Sequence, residues 1–217
     1  MSQANRTLLI LIFSLIFGVI AFFHESRLGK WIDNEVYNFI YSTESFITTS
    51  IMLGFTKLGE VWAMIALSLI VICYLKLKKY NIETLFFAVT MILSGTLNPL
   101  LKNIFDRERP TLLRLIDISG FSFPSGHAMG STAFFGSLIF IIFRVANKSI
   151  RPYLMGLCVI CIAMISSSRV YLGVHYPTDI IAGIIGGVIC IMLTQSMLRK
   201  KLKISMEQDE LFHTFLN

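Results

Sequence analysis

Three short polar islands interrupt an otherwise apolar chain: Lys102 through Arg109-Pro110, then Pro124-Ser125-Gly126-His127, then Ser168-Arg169 through His175 to Asp179. They supply the cations Lys102, Arg109 and Arg169, the imidazoles His127 and His175, the carboxylate Asp179 and the turn Ser125-Gly126. That set suits phosphoryl transfer. Fixed cations neutralise phosphate oxygens while one histidine attacks phosphorus and the other protonates the leaving group. His175 and Asp179 are four residues apart, so the carboxylate can hold one ring nitrogen and turn the other outward. It also stabilises the positive charge that an attacking imidazole acquires, which makes His175 the nucleophile. His127 has no carboxylate at helical spacing and takes the general-acid role by elimination. Guanidinium forks match phosphate oxygens in pairs, so Arg109 and Arg169 form a clamp with Lys102 beside it.

Each island also has a plainer reading. Ser125 directly before an apolar run is an ordinary helix N-cap, and its free N–H groups would equally welcome a phosphate. The first island, with Asp106, Arg107, Glu108, Arg114 and Asp117, is also consistent with a solvated mixed-charge loop. Two histidines and an aspartate could ligate zinc, but several obligate cations in one cluster repel a divalent ion, so neither metal nor cofactor is expected.

The elements that must position these residues are membrane helices. Of 217 residues, 55% are hydrophobic and 15% charged, and the mean hydropathy is +0.72. Nearly uncharged runs recur at 7–23, 61–75, 84–101, 128–143, 152–167 and 177–198, several of which need a flanking residue or two to cross the ~30 Å of a bilayer core at ~1.5 Å per residue. The expectation is an all-α bundle of about six transmembrane helices in one domain, 1–217. No ten-residue alternating segments suggest a barrel. The first run lacks a small-x-small cleavage pattern at Val19–Phe23, so it reads as a retained helix and not a signal peptide.

Cations in short loops set the orientation. Lys76, Lys78 and Lys79, then Arg144, Lys148 and Arg151, then Arg199, Lys200, Lys201 and Lys203 follow alternate runs, which places them and both termini in the cytoplasm. The net charge of +6 is then inner-leaflet anchoring and not a nucleic-acid surface. By the same count all three islands fall at the outer ends of helices, where they form one site. A site there receives a phosphorylated lipid sideways from the leaflet.

Lys102-x6-Arg109-Pro110, Pro124-Ser125-Gly126-His127 and Ser168-Arg169-x5-His175-x3-Asp179 resemble the three signature motifs of the type 2 phosphatidic acid phosphatase superfamily. The resemblance implies that His175 attacks phosphorus to give a phosphohistidine, Asp179 orients it and His127 protonates the departing oxygen. It implies that Lys102, Arg109, Ser125, Gly126 and Arg169 hold the phosphate, with Ser168 a less certain contact. The small six-span form is similar to bacterial members acting on undecaprenyl diphosphate, phosphatidylglycerophosphate or phosphatidic acid. Other readings are a lipid phosphotransferase of the same superfamily and a non-enzymatic lipid-binding or transport protein. A soluble haloperoxidase with a similar anion pocket is disfavoured by the membrane composition. No obligate protein partner is implied.

The remaining features read as structural. Segment 46–60 is either interfacial, shaping a lipid entrance, or the start of the second helix. Cys158 and Cys161, like Cys73 and Cys190, lie in apolar runs as inert thiols. Gly183, Gly186 and Gly187 make a close-packing face. His24 and His213 lie outside the islands and are expected to be exposed.

Overall fold

The computed structural model describes residues 3–111, 114–202 and 204; Lys203 and His213 lie outside them. Each apolar run is a helix, and two shorter helices precede the second run. The order is α1 (Gln3–Phe23), α2 (Arg27–Tyr41), α3 (Phe46–Leu58), α4 (Val61–Leu77), α5 (Asn81–Phe105), α6 (Gly126–Val145), α7 (Arg151–Tyr171) and α8 (Pro177–Met197). Five are long and apolar enough to cross a membrane alone. The protein is an all-α, multi-pass membrane bundle.

Segment 46–60 forms a helix of its own, α3, set at an angle to α4. α4 has 17 residues, about 26 Å of helix, which is short of a ~30 Å core. α3 and α4 together are long and apolar enough for one span, with a 59° bend between them at Gly59-Glu60. Ser45 starts α3 by accepting a hydrogen bond from the Thr48 N–H at 3.1 Å.

α6 and α8 form the centre, with α7 and α5 against α6, α1 against α8 and α3 against α7. The glycine face of α8 sets the closest approach. A Cβ on Gly183 would lie 2.7 Å from the Ser125 carbonyl oxygen, and one on Gly187 would lie 2.8 Å from that of Met129. In lipid, where apolar burial does not drive helix association, such backbone proximity is what holds helices together. It also presses α8 against the start of α6, where two of the polar islands meet.

The chain places its charges by end. Arg6 donates to the Gln195 carbonyl at 2.9 Å, joining the start of α1 to the end of α8. Arg144 and Glu83 form a buried pair at 2.9 Å between the end of α6 and the start of α5. The loop cations Lys76–Lys79 and Lys148 belong to this same end. All three islands sit at the other. Cys158 and Cys190 are buried and Cys73 and Cys161 are not fully so, all without a disulfide. His24 is buried instead of exposed: its ring stacks on Phe123 at 5.2 Å and its Nδ1 meets the Ala21 carbonyl at 2.8 Å.

Candidate active site

Asp179 is the third residue of α8, in the first turn opened by Pro177, whose missing N–H costs nothing there. From that position its Oδ2 accepts the Tyr176 backbone N–H at 2.9 Å and lies 3.4 Å from His175 Nδ1. Ser122 donates its hydroxyl to the same Oδ2 and lies 3.2 Å from His175 Nδ1. On the far side of the ring, Arg109 Nη1 is 3.1 Å from His175 Nε2 and also donates to the Val174 carbonyl at 2.8 Å.

These contacts fix the tautomer. A guanidinium only donates, so Nε2 is the acceptor and the ring proton sits on Nδ1, facing the carboxylate. His175 is 2% exposed, and burial pushes its pKa from 6.5 down to about 4, against the opposing pull of Asp179. The neutral ring therefore carries its lone pair on the nitrogen that points at the arginine. Burial also lowers the Arg109 pKa, with Asp179 acting against the shift.

The other phosphate-clamp residues surround the same space. Lys102, at the end of α5, donates to the Phe121 carbonyl and, at 3.4 Å, to that of Ser122. Arg169, at the end of α7 and 2% exposed, donates Nη1 to the Thr56 hydroxyl, while its Nε has no partner. His127, the second residue of α6, also keeps an unpartnered buried Nε2, and the Thr56 backbone interacts with its ring. Ser125 is the α6 N-cap, its hydroxyl accepting from the Ala128 N–H at 3.4 Å. Its own N–H is held by the Asp179 carbonyl at 3.1 Å, so the second and third islands are joined backbone to backbone. Ser168 is buried with its hydroxyl turned back to the Ile165 carbonyl at 2.7 Å, which leaves it away from the cluster.

Lys102, Arg109, Gly126, His127, Arg169 and His175 line one cavity of about 690 Å³. From them it runs between α4 and α5 past Met64, Ser68, Met91 and Asn98, and its rim residues Ile65, Leu69 and Ile92 are exposed on the side of the bundle. The cavity is cationic at one end and apolar along its length. Among the described residues no three His, Cys, Asp or Glu side chains are grouped to hold a metal.

The family model of the PAP2 superfamily matches residues 83–203. The chain belongs to the PAP2 superfamily. Phosphatidylglycerophosphatase B of Bacillus subtilis is 27% identical over 150 residues, which cover 67% of this chain and 72% of that protein. A lipid A 1-phosphatase of Rhizobium johnstonii is 35% identical over 117 residues, 48% of this chain and 43% of that one. The crystal structure of a transmembrane PAP2 type phosphatidylglycerolphosphate phosphatase from Bacillus subtilis shares the fold, with a TM-score of 0.81 at 22% identity over 88% of this chain and 96% of that one.

The PAP2 match encloses all three islands, and every residue singled out from them except Ser168 reaches the cluster. Five others were not foreseen. Ser122 sits two residues before Pro124 and bonds both Asp179 and His175. Thr56 and Gly59 come from the bend of the broken span, where a Cβ on Gly59 would lie 2.7 Å from His127 Cδ2. Arg107, for which a solvated mixed-charge loop is the plainer of two readings, is 9% exposed and pairs with Asp179 at 2.6 Å and with Asp33 of α2 at 2.8 Å. Arg107 had a signal in its island; Asp33, a lone acid on a separate amphipathic helix, had none.

Proposed function

We propose that this PAP2 protein is a membrane phosphatase that hydrolyses a lipid phosphate or diphosphate without a metal, through a phosphohistidine on His175. The observation that carries the reading is the cavity itself. An apolar channel open to the side of the bundle ends on three cations and two histidines, the shape a lipid with a phosphorylated headgroup requires. The relatives, named for two different lipid phosphates, support the class of substrate and leave its headgroup open.

In this mechanism phosphate displaces Arg109 from His175 Nε2 and is held by Arg109, Arg169, Lys102 and the N–H groups at the start of α6. Nε2 attacks phosphorus as the bond to the lipid oxygen breaks, and His127 gives that oxygen a proton. Asp179 accepts from Nδ1 and balances the positive ring. A water then attacks phosphorus, His127 takes its proton, and His175 and inorganic phosphate are released. By the positive-inside count the cluster faces the outside, so the lipid comes from the outer leaflet. Candidate substrates are undecaprenyl diphosphate, phosphatidylglycerophosphate and phosphatidic acid.

The test is phosphate release by the purified protein from each of these lipids in EDTA. Release from at least one is expected. Binding without release, or activity lost to EDTA and restored by one divalent ion, would overturn the proposal.

A further inference from the structure

Behind the His175–Asp179 pair lies a set of buried charges that the phosphate cluster does not use. Arg107 Nη1 donates to Asp179 Oδ1 at 2.6 Å and to the Thr178 hydroxyl at 2.7 Å, while its Nη2 donates to Asp33 Oδ2 at 2.8 Å. Asp33 accepts from Thr178 twice, from the backbone N–H at 2.9 Å and from the hydroxyl at 3.0 Å. The Tyr176 ring covers the guanidinium at 4.0 Å. The circuit is closed. Asp33 is fixed by the first turn of α8, Arg107 is fixed by Asp33, and Arg107 fixes the Asp179 carboxylate of that same turn.

We infer that Arg107 and Asp33 are positioning residues for the reaction, holding Asp179 so that its second oxygen and its charge remain directed at His175. This rests on His175 being the nucleophile. Two features of the arrangement argue for it. First, the Asp179 oxygens have separate duties: Oδ2 serves His175, Ser122 and the Tyr176 N–H, and Oδ1 goes to Arg107. Without Arg107 the carboxylate keeps its Oδ2 contacts but loses the contact on Oδ1 that fixes its plane against the ring. Second, the charges are matched to a ring that becomes positive. Arg107 alone would neutralise Asp179, but Asp33 shares the guanidinium, so on the Nδ1 side of His175 two carboxylates share one cation, while Arg109 stands on the phosphate side of the ring. Neither residue lines the cavity of the phosphate cluster. Both face a separate polar cavity of about 450 Å³, with Lys30 and Glu108, on the other side of Tyr176. They act on the nucleophile and not on the substrate.

The consequence is that α2, far from the three islands in sequence, sets the efficiency of the nucleophile through one carboxylate. The test uses Asp33→Asn and Arg107→Lys in the full chain, with a lipid phosphate and an aryl phosphate as substrates. Inorganic phosphate probes the clamp alone. Vanadate probes the clamp and the nucleophile, because it becomes five-coordinate by bonding the attacking nitrogen. In both variants kcat should fall about 10- to 100-fold, the range that small misplacement of a reacting group produces. KM and the phosphate Ki should stay within about twofold, the vanadate Ki should rise with the loss in kcat, and the double variant should lose less than the product of the singles. Asp33→Asn retains Oδ1 to accept from the Thr178 N–H, so it remains decisive if Arg107→Lys does not fold. An unchanged kcat in Asp33→Asn, or phosphate and vanadate affinities that fall together, would overturn the inference. A wild-type protein that releases no phosphate would instead refute the proposed function on which the inference depends.

Discussion

Gly59→Ala puts the bend of the broken span to the test. Gly59 has φ −83°, which alanine adopts without strain, so the effect of the added methyl is purely one of contact. It would lie 2.7 Å from His127 Cδ2 and 2.6 Å from Ile165 Cγ2, where carbon atoms ordinarily stand about 3.5 Å apart or more. The isoleucine methyl can rotate, but the His127 ring has to shift by about 0.8 Å. Misplacing a reacting group by ~1 Å costs on the order of 10²-fold in rate, and overpacking of this kind costs about 1–3 kcal/mol of stability. Because His127 is proposed to protonate the leaving group, the loss should depend on that group. The assay is a single-turnover measurement of the first chemical step. With a lipid monoester, whose alkoxide leaves poorly, the rate should fall about 10²-fold; with an activated aryl phosphate it should fall less than about tenfold. Equal losses on both substrates would show that the methyl disturbs the clamp or the nucleophile and would refute the reasoning, as would no loss on either.

Three further predictions follow from the same geometry. The buried His175 has its pKa lowered from 6.5 to about 4, so the folded protein binds its proton less readily than the unfolded chain does. Its contribution to stability is complete above pH 6.5 and is lost as the pH falls toward 4, and the acid limb of kcat/KM assigned to the nucleophile should lie near pH 4; denaturant titrations and rate profiles between pH 3 and 7 check both, and an acid limb for His175 near pH 6.5 contradicts them. Asp179→Asn should leave the protein folded but slow it by roughly 10²- to 10⁴-fold, since it removes charge support while keeping the shape, whereas wild-type rates would contradict the His175–Asp179 pairing. Cysteine tags at Lys78 and Lys148 should react only from the cytoplasm and a tag at Leu115 only from outside; labelling of Leu115 from the cytoplasm would put the site on the other leaflet.

How much of this was legible in the sequence depended on how local each signal was. Five of the six apolar runs marked helices long and apolar enough to cross alone, because spanning a bilayer demands a long uncharged stretch. The His175–Asp179 pairing could be read from a spacing of four and a proline at the helix start. Ser125 is the helix cap that its plainer reading describes, and Gly126 and His127 after it line the cavity. What escaped was set by tertiary contact. Arg107 and Arg109 are two residues apart in one island, yet one is buried behind Asp179 and the other reaches His175 from the front. The motif Lys102-x6-Arg109-Pro110 singles out Arg109, but nothing local shows where Arg107 goes. Thr56 and Gly59 gain their importance only from the 59° bend that brings α3 over Arg169 and His127, and Asp33 only from α2 lying against the first turn of α8.

The central claim, that His175 carries the phosphoryl group, is tested most directly by quenching the enzyme during turnover of a substrate labelled on its phosphorus. His127→Ala with an aryl phosphate is the form to use, because the first step proceeds without an acid while the second lacks its base, so the intermediate accumulates. The account predicts an acid-labile, alkali-stable label on the peptide containing His175, absent from His175→Ala. A label on any other residue, or undiminished phosphate release by His175→Ala, would contradict it.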